Sequence, residues 1–235
     1  AIRVTSADIS RIVESLSHYS IHSCSREFRQ GSFALKGGVR VGISGVFNSE
    51  GYINQVTGLN FRVARCVAGC ADELLHLIKK GSLLLCGEVN SGKTTILRDL
   101  CRLTGDLRKV SLIDERNEIA NVYGGELMND VGALTNVLTG CGRSEGIAAA
   151  VRTLSPEVIF CDEVSTESDC AAILRSAGCG VRFCATIHAG SFEDLMKRPI
   201  GGELVNSGIF SHAVFLTGAA DVGKIREIRG IDRHA

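Results

Sequence analysis

Eight residues, Gly87-Glu88-Val89-Asn90-Ser91-Gly92-Lys93-Thr94, constrain this chain more than any other stretch. They fit G-x-x-x-x-G-K-[ST], the Walker A pattern of a phosphate-binding loop. The pattern demands a definite local architecture. An apolar strand must enter the loop and a helix must leave it, so that backbone N–H groups and the helix N-terminus converge on a phosphate. Glycines allow the backbone to curl that way. Both flanks are present. Ser82-Leu83-Leu84-Leu85-Cys86 is a continuous apolar run, as expected of a strand buried on both faces. After the loop, Ile96, Leu97, Leu100, Cys101 and Leu103 recur at helical spacing. A glycine-rich turn before an ordinary helix is the rival reading, and the flanks count against it. The candidate nucleotide-binding residues are Gly87, Asn90, Ser91, Gly92, Lys93, Thr94 and Thr95. Lys93 would reach the β/γ-phosphates, and the Thr94 hydroxyl would ligate Mg²⁺.

Two regions of the chain read differently. The first opens with a helix: Ser6 is the expected N-cap, and Ile9, Ile12, Val13 and Leu16 form an apolar stripe. Residues 31–36, a Gly37-Gly38 turn and residues 39–47 predict a hairpin. A turn at Asn48-Ser49-Glu50-Gly51 leads to Tyr52-Ile53, and then to a strand over 59–65. After Gly69, helices and strands alternate. Helices are expected at 71–80, 145–154 and 167–177, and around Phe192, Leu195 and Met196. Strands are expected at 82–86, 110–114, 158–161, 181–186, 213–217 and 224–228. This alternation implies a mostly parallel sheet covered on both faces.

Ligands in such sheets bind at the carboxyl ends of the strands. Val158-Ile159-Phe160-Cys161-Asp162-Glu163 is an apolar strand ending in two acids, the Walker B pattern. Asp162 would serve Mg²⁺, and Glu163 would orient and deprotonate the attacking water. Asp114 and Glu115 end the 110–114 strand, where acids can polarise water or complete the metal's outer shell. A surface salt-bridge cluster is the alternative for that pair. Thr186-Ile187-His188 ends another strand, where a polar residue can sense the γ-phosphate.

Lys and Arg number 26, and Asp and Glu number 26. That balance argues against a dedicated nucleic-acid binder, which carries a basic excess. Nothing approaches an apolar run of ~18 residues, so no transmembrane helix is expected. Ten cysteines occur without any C-x-x-C pair. Their places in apolar strands and helix faces favour reduced, buried thiols of a cytosolic protein over disulfides or a metal.

These stretches resemble the stage III sporulation protein AA family, a sporulation relative of the secretion and pilus-motor ATPases. The resemblance covers nearly the whole chain. It is carried by residues 92–100, Ile113-Asp114-Glu115-Arg116-Asn117-Glu118-Ile119-Ala120, Asn129-Asp130-Val131, residues 155–163, Ala185-Thr186-Ile187-His188-Ala189 and residues 193–199. Arg29-Gln30-Gly31, residues 37–42 and residues 59–65 match in the first region. The resemblance implies an acidic "Asp box" at Asp114 and Glu115 and a "His box" at His188. It implies a hexameric ring in which Arg62 and Arg65, with Arg40 behind them, reach the nucleotide. Such arginines are worth about 10³–10⁵ in rate where they act. One departure stands out. The family usually has two prolines early in its phosphate loop, where this chain has Glu88-Val89-Asn90-Ser91. A Glu88 carboxylate turned inward would repel phosphate.

The expectation is a RecA-like P-loop NTPase of α/β class. Residues 1–68 form a small α+β N-terminal domain, expected to be incomplete at its start, and 69–235 the ATPase domain. Lys93, Asp114, Glu115, Glu163, His188, Arg62 and Arg65 are the candidate catalytic residues, and Thr94 and Asp162 the candidate metal residues, with ATP and Mg²⁺ as cofactors. The resemblance further implies a cytoplasmic homohexamer, peripheral at the mother-cell membrane, docked on membrane-embedded components of a sporulation channel. No direct nucleic-acid contact is expected. The alternatives are a nucleic-acid-dependent RecA-like ATPase and a non-catalytic ATP-binding scaffold.

Overall fold

In strand β4 (Ser82–Gly87), every residue is buried, and its side chains alternate between two apolar layers. Leu83 and Leu85 join Ile96, Leu97 and Leu100 on one side. Leu84 and Cys86 join Ile147, Ile173 and Leu195 on the other. A strand apolar at every position is thus stable only inside a sheet with helices on both faces. The computed structural model has that arrangement, and describes residues 4–17, 28–29, 31–35, 39–51, 53–63, 67–218 and 221–231. The expected Gly37-Gly38 turn, Cys24, Tyr52, Arg65 and Cys66 lie outside the described residues.

The chain divides into two compact units, 1–65 with 123–128, and 66–122 with 129–235. In the first, helix α1 (Ser6–Leu16) and strands β1 (Ser32–Leu35), β2 (Val39–Phe47) and β3 (Ile53–Val63) share a small core. Val13, Phe28, Phe33, Val41 and Ile53 fill it. The strands form an antiparallel sheet in the order β1-β2-β3. The N-cap of α1 is Thr5, not Ser6. Thr5 and Asp8 satisfy each other's backbone N–H groups, at 3.3 and 2.9 Å, a reciprocal cap that Ser6 has no equivalent for. Within the described residues, the β pieces expected at 52–53 and 59–65 belong to one continuous strand, Ile53–Val63. Pairing with β2 carries β3 through its polar middle, and two register shifts opposite it absorb the irregularity.

The second unit begins with a single 3-10 turn (Asp72–Leu74) and a short helix α2 (Leu75–Ile78) in place of a ten-residue helix. Helix α3 (Lys93–Gly105) follows β4. Then come β5 (Val110–Asp114) and β8 (Thr135–Thr139), and between them in the chain lies a two-stranded ribbon, β6 (Val122–Tyr123) and β7 (Glu126–Leu127), whose residues 123–128 belong to the first unit. Helix α4 (Arg143–Thr153), β9 (Val158–Cys161), α5 (Glu167–Ala177), β10 (Arg182–His188), α6 (Phe192–Lys197) and α7 (Pro199–Asn206) precede β11 (Phe210–Leu216) and β12 (Ile225–Gly230). The seven-stranded sheet runs β12-β11-β4-β10-β9-β5-β8. Only β12 is antiparallel to its neighbour. The edge strand β8 is half buried, so its pattern was too weak to be read as a strand. Helix α7 starts with Pro199, whose missing N–H is no loss at that position. Eight cysteines among the described residues are free thiols, five of them buried. Burial pushes Cys161 and Cys170 up to about 12. Among the described residues no helix is long and apolar enough to cross a membrane.

Candidate nucleotide site

The loop between β4 and α3 closes tightly, and its two motif glycines each have a steric reason. A Cβ at Gly87 would sit 2.3 Å from Ser91 Oγ. Gly92 has φ 96°, and a Cβ there would sit 2.8 Å from Gly223 N, whose N–H donates to Ser91 O at 2.9 Å. Gly92 is also the N-cap of α3, so the positive end of a 13-residue helix opens toward the loop. Beside it lies a cavity of about 320 Å³ lined by Val89, Asn90, Ser91, Gly92, Lys93, Thr94, Thr95, Glu118, Asp162, Glu163, His188 and Val222. Ser91 Oγ is buried there with no hydrogen-bond partner.

Glu88 does not line this cavity. A Cβ on Gly190 would sit 3.4 Å from Glu88 Oε1, and one on Gly218 3.7 Å from Oε2. Its carboxylate therefore lies against two glycine backbones on the flank of the loop.

Sheet order assembles the rest. Strands β4, β10, β9 and β5 are consecutive neighbours, so the phosphate loop, His188, the Asp162-Glu163 pair and the loop after β5 line up along one edge. Thr94 Oγ1 donates to Asp162 Oδ2 at 2.9 Å, joining the two expected metal residues. Thr186 Oγ1 donates to the other oxygen, Asp162 Oδ1, at 2.5 Å and accepts from Glu163 N at 2.7 Å. Thr186 is fully buried and ties both acids to β10. Glu163 has φ 51°, a conformation that only a well-determined site holds in a non-glycine residue. Its carboxylate is held between Arg116 Nη1, at 2.7 Å, and His188 Nε2, at 3.4 Å.

Lys93 Nζ donates to Gly87 O at 2.8 Å and Glu88 O at 2.6 Å, and lies 3.3 Å from His188 Nδ1. An ammonium only donates, so Nδ1 must accept and Nε2 must carry the ring proton toward Glu163. Burial pushes the Lys93 amine below its ordinary range, against the pull of Asp162 and Glu163. A buried ammonium beside a helix N-terminus is an anion site in both charge and geometry. Thr94 and Asp162 offer a hydroxyl and a carboxylate, hard oxygen donors that suit Mg²⁺. Mg²⁺ is typically bound by one or two carboxylates together with substrate phosphates and water, so two side chains suffice.

The expected Asp-box acids are placed elsewhere. Asp114 is buried, and its carboxylate accepts from the backbone N–H groups of Glu118, Ile119 and Ala120 at 2.9, 3.0 and 2.9 Å. Burial pushes its carboxyl up, opposed by those three donors. Glu115 pairs with Arg143 Nη2 at 3.0 Å, and Arg143 pairs in turn with Asp169 at 2.7 Å. Neither acid lines the cavity; Glu118 does. Arg62 lies in the first unit on β3, directly across from Arg40, which donates to Ser32 Oγ. Thr186, Arg116 and Glu118 were not in the candidate set. Their signals were a hydroxyl inside an apolar strand and two charged residues just past β5.

Comparisons with known proteins agree with this architecture. The model of the sporulation stage III, protein AA family matches residues 1–234. Stage III sporulation protein AA of Bacillus subtilis (strain 168) is 33% identical over 95% of this chain and 77% of its own length. Among solved structures, the Legionella pneumophila ATPase DotB superposes with a TM-score of 0.63 at 15% identity, over 92% of this chain. The pilus retraction motor PilT, solved with ADP, also gives 0.63, at 18% identity over 88%. This chain spans 65% of the DotB chain and 64% of the PilT chain. These likenesses identify the RecA-like fold of the secretion ATPases. With a family match from end to end and a relative one-third identical over nearly the whole length, the chain belongs to the sporulation stage III protein AA family.

Proposed function

We propose that this chain is a Mg²⁺-dependent ATPase of the secretion-motor type acting in sporulation. The observation that carries the reading is the hydrogen bond from Thr94 to Asp162 at the mouth of the α3 N-terminus, with Glu163 held on the same wall. The loop amides and Lys93 bind the phosphates, and Thr94 and Asp162 hold the metal. When bound by Thr94 and Asp162, Mg²⁺ would supply neutralisation of the phosphate charge. Glu163 takes a proton from water while that water's oxygen bonds to the γ-phosphorus. The bond to the β–γ bridging oxygen breaks, leaving ADP and phosphate. Arg116 and His188 fix the Glu163 carboxylate, whose remaining lone pairs still accept from water. Thr186 couples the metal acid to the base.

In this reading residues 1–68 are the small module and 69–235 the motor core. Arg62 and Arg65 act on the nucleotide of a ring built from six copies. The ADP bound to PilT supports an adenine nucleotide. Membership in a sporulation family supports work at a mother-cell-to-forespore channel, on the cytoplasmic face of its membrane components. The test is phosphate release by purified protein, alongside mass determination with and without ATP·Mg²⁺. Turnover that falls about 10²-fold or more in Glu163→Gln, in a ring that assembles with nucleotide, is expected. A monomer with no release above the Glu163→Gln background would leave the ATP-binding scaffold; stimulation dependent on DNA or RNA would favour the nucleic-acid motor.

A further inference from the structure

Six strands of the seven-stranded sheet run parallel, so the turns that enter them gather on the rim opposite the phosphate loop. Those before β4, β5, β9 and β10 are residues 79–81, 106–109, 154–157 and 178–181, and each follows a helix. Hydrogen bonds hold them side by side. Val158 N donates to Lys109 O at 3.3 Å, and Arg182 N to Glu157 O at 3.1 Å. Ser82 links three strands, accepting from Phe183 N at its Oγ and from Ser211 Oγ at its carbonyl, both at 3.0 Å.

This rim is basic. Lys79, Lys80, Lys109, Arg152 and Arg175 are exposed and Arg182 is half-buried. None of these six has an ion pair among the described residues. Three acids share the rim. Glu157 pairs with Arg108 at 3.0 Å, Asp106 accepts from Ala133 N at 3.2 Å, and Asp130 accepts from Gly132 N at 3.0 Å. With Arg108 included, cations outnumber acids there although the whole chain is neutral. The helices explain the segregation. Helices α4 and α5 carry Glu145, Glu167 and Asp169 in their first turns and Arg152 and Arg175 in their last, the placement that the helix macrodipole favours. Farther along the same rim, His212 is pushed below its ordinary range by burial first and then by the neighbouring His76 and Lys80.

The rim is also apolar at one point. Leu107 and Leu134 are 56% and 49% exposed. Both border Lys109, since Leu107 lies two residues before it and Leu134 O accepts from Val110 N at 3.1 Å. The four turns contain no Phe, Tyr or Trp on which a base could stack. Cations spread over several short turns, with exposed leucines among them, match a surface of many anionic headgroups above an acyl boundary.

We propose that this rim is a docking surface for an anionic lipid bilayer, with Lys80, Lys109 and Arg182 over headgroup phosphates and Leu107 and Leu134 at the acyl boundary. The phosphate loop lies at the other ends of the strands, so docking and nucleotide binding use opposite rims. The inference goes beyond the ATPase reading and does not depend on it.

The test is co-sedimentation of the full chain, without nucleotide, with vesicles of phosphatidylcholine alone or with about 30% phosphatidylglycerol. Binding to the anionic vesicles only is expected, and raising salt from about 0.1 M to about 0.5 M should release the protein. At about fivefold per cation, Lys80→Gln with Lys109→Gln should weaken binding about 25-fold. Leu107→Ser should weaken it about 5–10-fold with its salt dependence unchanged. Arg11→Gln with Lys197→Gln removes as much charge elsewhere and should stay within about twofold of wild type. All five substituted side chains are exposed, and thermal melts report that each variant folds. Equal binding to neutral vesicles, no binding, or unchanged binding in the Lys80→Gln, Lys109→Gln variant overturns the inference. So does tighter binding to a fluorescent DNA duplex at the same salt that is indifferent to Leu107→Ser, an outcome that makes this rim a nucleic-acid face. Phosphate release is measured separately, and its absence would sink the ATPase reading while leaving the lipid result standing.

Discussion

Replacing Thr186 by Val removes one hydroxyl and almost no volume. That hydroxyl makes two bonds in a fully buried place, donating to Asp162 Oδ1 at 2.5 Å and accepting from Glu163 N at 2.7 Å. The bond to a carboxylate contributes about 2 kcal/mol and the neutral one about 1 kcal/mol. The orphaned Glu163 N–H finds no substitute among methyl groups, so about 3 kcal/mol should be lost. For a unit of this size that corresponds to about 6–12 °C in Tm. Thr186→Ser keeps the hydroxyl and loses one buried methyl, which costs about 1 kcal/mol. The two substitutions therefore separate hydrogen bonding from packing. Denaturant melts at unchanged m-value are the assay for stability. In phosphate release, Thr186→Val should lower kcat about 10–100-fold, because a displaced Glu163 no longer aligns water, while Thr186→Ser stays near wild type. Thr186→Val within about 0.5 kcal/mol of wild type and turning over normally would refute the claim that this hydroxyl holds the two acids.

Two further outcomes follow from the geometry. Glu88→Gln should change the affinity for ATP by less than about threefold, because the carboxylate rests against Gly190 and Gly218 and not in the cavity; a gain of tenfold or more in a fluorescence titration would show that it faces the phosphates. Asp8 should titrate at about 2, held down first by the Thr5 hydroxyl and then by the Thr5 N–H and Arg11. Its folded pKa is depressed, so its contribution to α1 is full above the ordinary 3.8 and is lost as pH falls toward 2. Carboxyl NMR checks this, with Thr5→Ala expected to return Asp8 toward its ordinary value, and no change in that variant counting against the reciprocal cap.

Much of the core was legible because its elements are locally consistent. The 82–103 stretch combines a doubly buried strand, a fixed loop pattern and a helical stripe, and all three specify the same unit. The 158–163 stretch works the same way. Elements failed to appear where the local signal was weak and tertiary contacts supplied the stability. The half-buried edge strand β8 and the glycine-containing helix α7 are of that kind. Ser6 looked as good a cap as Thr5 because both are hydroxyl residues. Only the spacing to Asp8 chooses between them, through geometry that residue type alone does not reveal.

The amino-acid sequence by itself determined the phosphate loop, the acids that follow β9, the α/β class and the family, because each depends on residues close together in the chain. Which acid of the loop after β5 meets the cavity was decided only by the tertiary structure. Asp114, Glu115 and Glu118 are four residues apart or less, and composition cannot rank them. Burial of Asp114 against three N–H groups, the ion pair between Glu115 and Arg143, and the hold of Arg98 on Glu118 O rank them instead. The donors to Asp114 are local, four to six residues on, but Arg98 comes from α3 and Arg143 from α4, 20 and 28 residues along the chain from the acids they hold. A carboxylate's role is set by the donors around it, and only folding brings those donors together.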